Sequence, residues 1–123
     1  MVYLEQVISE TLRLCPPLPV VSRAVEEERG VANSPDPDHF DPYRFSAENS
    51  VGRQPYSFVP FLGERKMCTG KRYAYMQRKA ILSTVLRNYQ VLPCGSREEM
   101  EKVQFRMSLH IISGFNTKLA AIK

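Results

Sequence analysis

Cys68 is the residue whose surroundings most invite chemistry. It stands in Phe61-Leu62-Gly63-Glu64-Arg65-Lys66-Met67-Cys68-Thr69-Gly70, with Lys71 and Arg72 directly after. A stretch with helical periodicity follows, so the cysteine falls at a helix start. The helix dipole and the neighbouring Lys and Arg side chains favour a thiolate there over a thiol. Unpaired amides of a first helical turn can hydrogen-bond the sulfur and tune a metal that it holds. Gly63 and Gly70 would let backbone approach a flat cofactor closely. Taken alone, the segment fits equally a structural cysteine buried after a tight turn.

Other chemistries fit less well. A phosphate-binding loop needs four residues between its glycines and Ser or Thr after its lysine. Six residues separate Gly63 from Gly70, and Arg72 follows Lys71. A nucleophilic cysteine wants a histidine base. The two histidines, His39 and His110, are distant in sequence and read as structural or solvated groups. Cys15, Cys68 and Cys94 are odd in number and widely spaced, which argues against a disulfide framework or a zinc site. Reduced cysteines are the expectation. A second pair, Glu10 and Arg13, lies three apart on one helical face. In isolation such a pair is an exposed ion pair worth a few tenths of a kcal/mol.

The elements that must position these groups follow from pattern. Leu4, Val7, Ile8 and Leu12 predict an amphipathic helix over 2–14, ended by Cys15-Pro16-Pro17-Leu18-Pro19. Val20 to Val31 reads as one or two short strands. Residues 32–60 carry many prolines but also Phe40, Tyr43, Phe45, Tyr56 and Phe58, so an ordered loop is expected rather than a flexible linker. A second helix should run from near Cys68 to about Tyr89, with Tyr75, Ala80, Ile81, Leu82, Val85 and Leu86 on its apolar side. Phe105 to Ile112 alternates as a strand, and Thr117 to Ile122 should pair back on it across Ser113-Gly114-Phe115-Asn116.

The chain has 123 residues, 43% hydrophobic and 24% charged, which is ordinary globular usage for one domain able to bury a core. No apolar run is long enough to span a bilayer, and Met1 to Glu5 does not read as a signal peptide. The net charge of +4 is unevenly spread. Residues 1–50 hold nine acids and four bases, whereas residues 53–79 hold seven bases and Glu64 as the sole acid. A basic block around Cys68 attracts anions, acidic protein faces or nucleic acid. Tyr56, Phe58, Tyr73 and Tyr75 lie among those bases, so a small nucleic-acid or acidic-protein binding module is the alternative reading.

The order Glu10-x-x-Arg13, then Pro42-Tyr43-Arg44-Phe45, then Phe61 to Gly70, resembles the ordered motifs ExxR, PxRF and FxxGxRxCxG of the cytochrome P450 family. The flanks agree: Tyr3-Leu4-Glu5 before Glu10, Leu14-Cys15-Pro16-Pro17 after Arg13, and Phe58-Val59-Pro60 before Phe61. Leu86-Arg87-Asn88-Tyr89 and Gly114-Phe115-Asn116 resemble the microsomal family-4 group in particular. The resemblance implies a mixed α and β fold over residues 1–123, the C-terminal haem-binding part of a mostly helical fold. Its parts would be a K-like helix, a meander, a cysteine loop, an L-like helix and a C-terminal β-hairpin.

The resemblance also implies roles. Cys68 would be the axial thiolate of haem iron, with Phe61, Gly63, Arg65, Lys66 and Gly70 as cofactor-binding positions around it. Arg23 would meet a haem propionate, which suits a guanidinium. Glu10, Arg13 and Arg44 would form a buried structural triad. The family reaction inserts one oxygen atom of O2 into an organic substrate, expected to be small and apolar. Electrons would come from a flavoprotein reductase docked on the basic face, at the endoplasmic reticulum membrane, and nucleic acid is not expected as a partner. The departures are specific. Glu64 stands at the family's glycine position, with Gly63 one place earlier, and Lys66 replaces the family arginine. Glu64 would be strained if that position needs a positive φ. No segment matches the oxygen-activating element, so catalytic residues are not visible, and the chain alone is expected not to turn over.

Overall fold

Ile8 and Leu12 are one helical turn apart, and both are buried, at 4% and 5% exposure. They define the inner face of helix α1, Val2–Leu14, in a computed structural model that describes residues 1–20, 36–54, 57–63, 67–96, 102–105, 108–112, 114 and 116–122. The helix ends as the prolines dictate. Cys15 leaves helical geometry at φ −130°, ψ 65°, as a residue before proline must, and its amide makes the last bond to the Thr11 carbonyl at 2.8 Å.

The inner face of α1 packs on a 3-10 turn, Pro42–Phe45. Sequence chemistry builds that turn. Asp41 caps it, its Oδ1 accepting from the Tyr43 amide at 3.0 Å, and Pro42 occupies a position where no amide donor is needed. A second short turn, Glu48–Ser50, follows, and Gly52 supplies a left-handed residue at φ 75°. Phe45 stacks on Phe58 with centroids 4.6 Å apart, and the Arg53 guanidinium lies 4.8 Å from the Phe45 ring. Arg53 also donates to the Arg44 carbonyl. The described residues of the proline-rich segment are thus an ordered series of turns closed by aromatic contacts.

Helix α2, Lys71–Asn88, begins three residues later than the sequence pattern places it. Thr69 and Gly70 form a turn first, and the Lys71 amide donates to the Cys68 carbonyl at 3.3 Å. Two links join α2 to α1: Lys79 to Glu5, and the Tyr75 hydroxyl to Ser9 Oγ at 3.3 Å. No residue of α2 is buried; Ile81 and Leu86 remain 54% and 51% exposed.

The strand pairing differs from the sequence expectation. Strand β1, Tyr89–Leu92, leaves α2 without a loop and pairs antiparallel with β4, Lys118–Ala121, in the register Tyr89↔Ala121 to Leu92↔Lys118. The segment expected to be one strand, Phe105 to Ile112, instead folds on itself. Strand β2, Val103–Phe105, pairs with β3, Leu109–Ile111. The 105–112 alternation persists through a reversal, so alternation alone does not locate the fold-back. Gly114 does take a turn conformation, φ 81°, but the chain beyond it returns to β1 rather than β3. A C-terminal hairpin exists, in a different place from the one the pattern suggests. The strands expected over Val20 to Val31 fall almost wholly outside the described residues.

Few hydrophobic side chains are buried among the described residues. Ile8 and Leu12 are the buried hydrophobic residues among those described, with Pro42 beside them. The chain exposes 10528 Å². A compact monomer of 14.1 kDa would expose about 6,700 Å². Among the described residues large apolar side chains stay open, Met76, Ile81 and Leu86 each by more than half.

Candidate functional site

The cysteine loop is closed by backbone. The Leu62 amide donates to the Val59 carbonyl at 3.0 Å, and the Cys68 amide donates to the Phe61 carbonyl at 2.8 Å. Phe61 and Cys68 therefore form the two ends of a hydrogen-bonded loop. Leu62 takes the left-handed conformation, φ 62°, immediately before Gly63. For a bulky residue that is uncommon and costs about 1–2 kcal/mol. The Cys68 thiol is exposed.

Beyond it the chain enters α2 through Gly70, at φ −80° and ψ 0°, with no side-chain cap. That leaves amides of the first turn unclaimed by any capping side chain, at the positive end of the dipole. A Cβ added at Gly70 would stand 3.7 Å from the Cys68 sulfur, ordinary contact within the chain. Neither its φ nor internal crowding therefore demands glycine here, and the missing side chain keeps one flank of the sulfur open. Among the described residues no three His, Cys, Asp or Glu side chains gather to hold a metal. The exposed Cys68 thiol suits a metal group that brings most of its donors with it and takes one from the protein. That is the donor set of a haem thiolate.

Phe61 is held from α2. Its ring lies 5.6 Å from that of Tyr75, and the Arg78 guanidinium lies 5.9 Å from its centroid. The sequence pattern placed Tyr75 on the apolar side of the helix but gave no sign of this contact, because it depends on how the loop folds back on α2. His39 is exposed in the meander, and its carbonyl accepts from Arg13. Arg23, Glu64, Arg65 and Lys66 lie outside the described residues. Of the other bases in residues 53–79, Lys71 and Arg72 are exposed, whereas Arg53, Arg78 and Lys79 engage Phe45, Phe61 and Glu5. The basic block is less free than its charge count implies.

Glu10, Arg13 and Arg44 do come together. The Glu10 carboxylate is fully buried at 0% exposure. Arg13 reaches it with two donors, Nε to Oε2 at 2.8 Å and Nη2 to Oε1 at 2.9 Å. Arg44 Nε stands 3.6 Å from Oε1, and the Asp41 amide donates to the same oxygen at 2.9 Å. Burial pushes the Glu10 carboxyl up; the Arg13 hydrogen bonds, the Asp41 amide and the two positive charges outweigh it and hold the group below its ordinary 4.5. The arginines also grip the meander backbone. Arg13 donates to the Pro37 and His39 carbonyls at 2.7 and 3.2 Å, and Arg44 to the Asp36 carbonyl at 3.1 Å. Those carbonyl partners carry no side-chain signal, so sequence reasoning missed them; Asp41-Pro42 was the one readable mark of the turn.

The family model for cytochrome P450 matches residues 34–118. The chain belongs to the cytochrome P450 family. Its relatives place it with the family-4 group of P450s. It is 36% identical to "Probable cytochrome P450 4aa1" of Drosophila melanogaster over 95% of this chain and 27% of that protein. It is 38% identical to human "Cytochrome P450 4V2" over 80% of this chain and 23% of that protein. The chain thus spans about a quarter of the length of these relatives. The solved structure "Retinoic acid bound cyanobacterial CYP120A1" superposes with a TM-score of 0.79 over 98% of this chain and 32% of that one, at 23% identity. The mixed α and β architecture is therefore a P450 one, and haem is the cofactor of the family. The alternative of a small basic binding module is set aside. Among the described residues no helix is long and apolar enough to cross a membrane.

Proposed function

We propose that this chain supplies one wall of a P450 haem site, in which Cys68 would hold the iron, within a monooxygenase acting on an organic substrate. The observation that carries the reading is the open sulfur of Cys68, between a loop closed on Phe61 and an uncapped helix start at Gly70. Phe61, Gly63 and Gly70 line that loop, with Arg65, Lys66 and Arg23 as the further cofactor-binding positions. Bound there, haem supplies O2 activation, which electron donation from a thiolate favours.

The chain's own residues hold the sulfur in place and keep its flank free of side chains. Glu10, Arg13 and Arg44 fix α1 to the meander and do no chemistry. Members of the family draw electrons from redox partners. The finer reading is a flavoprotein reductase docking where Lys71 and Arg72 are exposed, at the endoplasmic reticulum membrane. The substrate class is small, organic and apolar, and residues 1–123 form the C-terminal, haem-binding part of the domain. A haem titration followed by absorption tests the reading. Saturable uptake of one haem per chain, lost in Cys68→Ala and kept in Cys15→Ala and Cys94→Ala, is expected. Equal uptake by all three variants would contradict it.

A further inference from the structure

We infer that Tyr75 and Arg78 are positioning residues for the haem ligand, acting on Cys68 through Phe61. The inference rests on the reading of Cys68 as that ligand. The two residues are three apart on α2 and so share a helical face. That face meets Phe61: the Tyr75 ring is tilted 48° to it with centroids 5.6 Å apart, and the Arg78 guanidinium lies 5.9 Å from its centroid. Both are favourable arrangements for an aromatic ring. Phe61 in turn accepts the Cys68 amide at 2.8 Å. Whatever moves the Phe61 backbone therefore moves the residue that carries the sulfur.

Two further observations mark the clamp as specific. Arg78 Nη1 is buried with no hydrogen-bond partner among the described residues. Leaving such a donor unpaired is costly; among the described residues Arg78 makes no ion pair, and its contact there is with the Phe61 ring. Tyr75 also reaches back to Ser9 Oγ of α1 at 3.3 Å, beside the buried Glu10. The same ring thus links the cysteine loop to α1, whose inner face is buried.

The test uses amide exchange on the haem-free chain together with the reduction potential and ferrous-carbonyl spectrum of the haem-loaded chain. In Tyr75→Ala and Arg78→Met, exchange at the Cys68 amide should rise about tenfold relative to the Ile8 and Leu12 amides of α1. The reduction potential should shift in both. Tyr75→Phe keeps the ring and should restore wild-type values. If Tyr75→Ala raises exchange in α1 as well, it has unfolded, and Arg78→Met, which leaves the Tyr75–Ser9 link in place, decides. Wild-type exchange and potential in Arg78→Met and in a folded Tyr75→Ala would overturn the inference. A thiolate-type carbonyl spectrum in Cys68→Ala would instead overturn the ligand reading beneath it, so the two failures are distinguishable.

Discussion

Glu10 is a carboxylate with no exposure that stays ionised, because every direction from it leads to a donor. Removing one partner from such a buried network leaves the others uncompensated. Glu10→Ala should cost about 3–5 kcal/mol in denaturant unfolding; a loss within about 0.5 kcal/mol, the range of ordinary surface changes, would show that the triad does not hold the fold. The acid limb gives an independent check. The carboxyl of folded Glu10 is held below its ordinary 4.5, so its contribution is complete above that value and is lost as pH falls through the folded value. Arg13 is raised, chiefly by its hydrogen bonds to Glu10, so its contribution is fully present through the acid and neutral range and does not shape the acid limb. The stability gap between wild type and Glu10→Gln should therefore be widest near neutral pH and shrink below about 4.5. A gap that stays constant into acid would contradict this account.

At the scale of elements, the helices were legible and the strand pairing was not. Apolar spacing marked α1 to the residue, because proline closes it at Cys15 and Ile8 and Leu12 carry its buried face. The start of α2 was read three residues early, since Thr69 and Gly70 carry no strong stop signal and the turn there is set by backbone bonds to Cys68. Pairing of β1 with β4 joins residues about thirty apart in sequence, beyond what local alternation can specify. The triad's three residues came from the family resemblance, the spacing alone giving only an exposed Glu10–Arg13 pair, and the Pro37, His39 and Asp36 carbonyls that complete it were not legible. The contrast in burial between the two helices predicts different dynamics. With Ile81 and Leu86 more than half exposed, amides of α2 should exchange faster than those at Ile8 and Leu12 when residues 1–123 are studied alone. Equal protection of both helices would contradict that assignment of the core.

For the whole molecule, the described residues leave large apolar side chains open, Met76, Ile81 and Leu86 each more than half exposed. Large exposed apolar patches promote association. A substrate pocket should be enclosed and mostly apolar, and the described strands are three or four residues long, with β1 exposed along its length. Residues 1–123 given haem, reductase and NADPH should therefore show no product formation coupled to electron consumption; coupled, Cys68-dependent turnover would refute this. The central claim is narrower and open to one measurement, the ferrous-carbonyl spectrum of the haem-loaded chain beside its three cysteine variants. The account predicts a thiolate-type Soret band in wild type, Cys15→Ala and Cys94→Ala and its loss in Cys68→Ala; a thiolate-type band that survives in Cys68→Ala would contradict it.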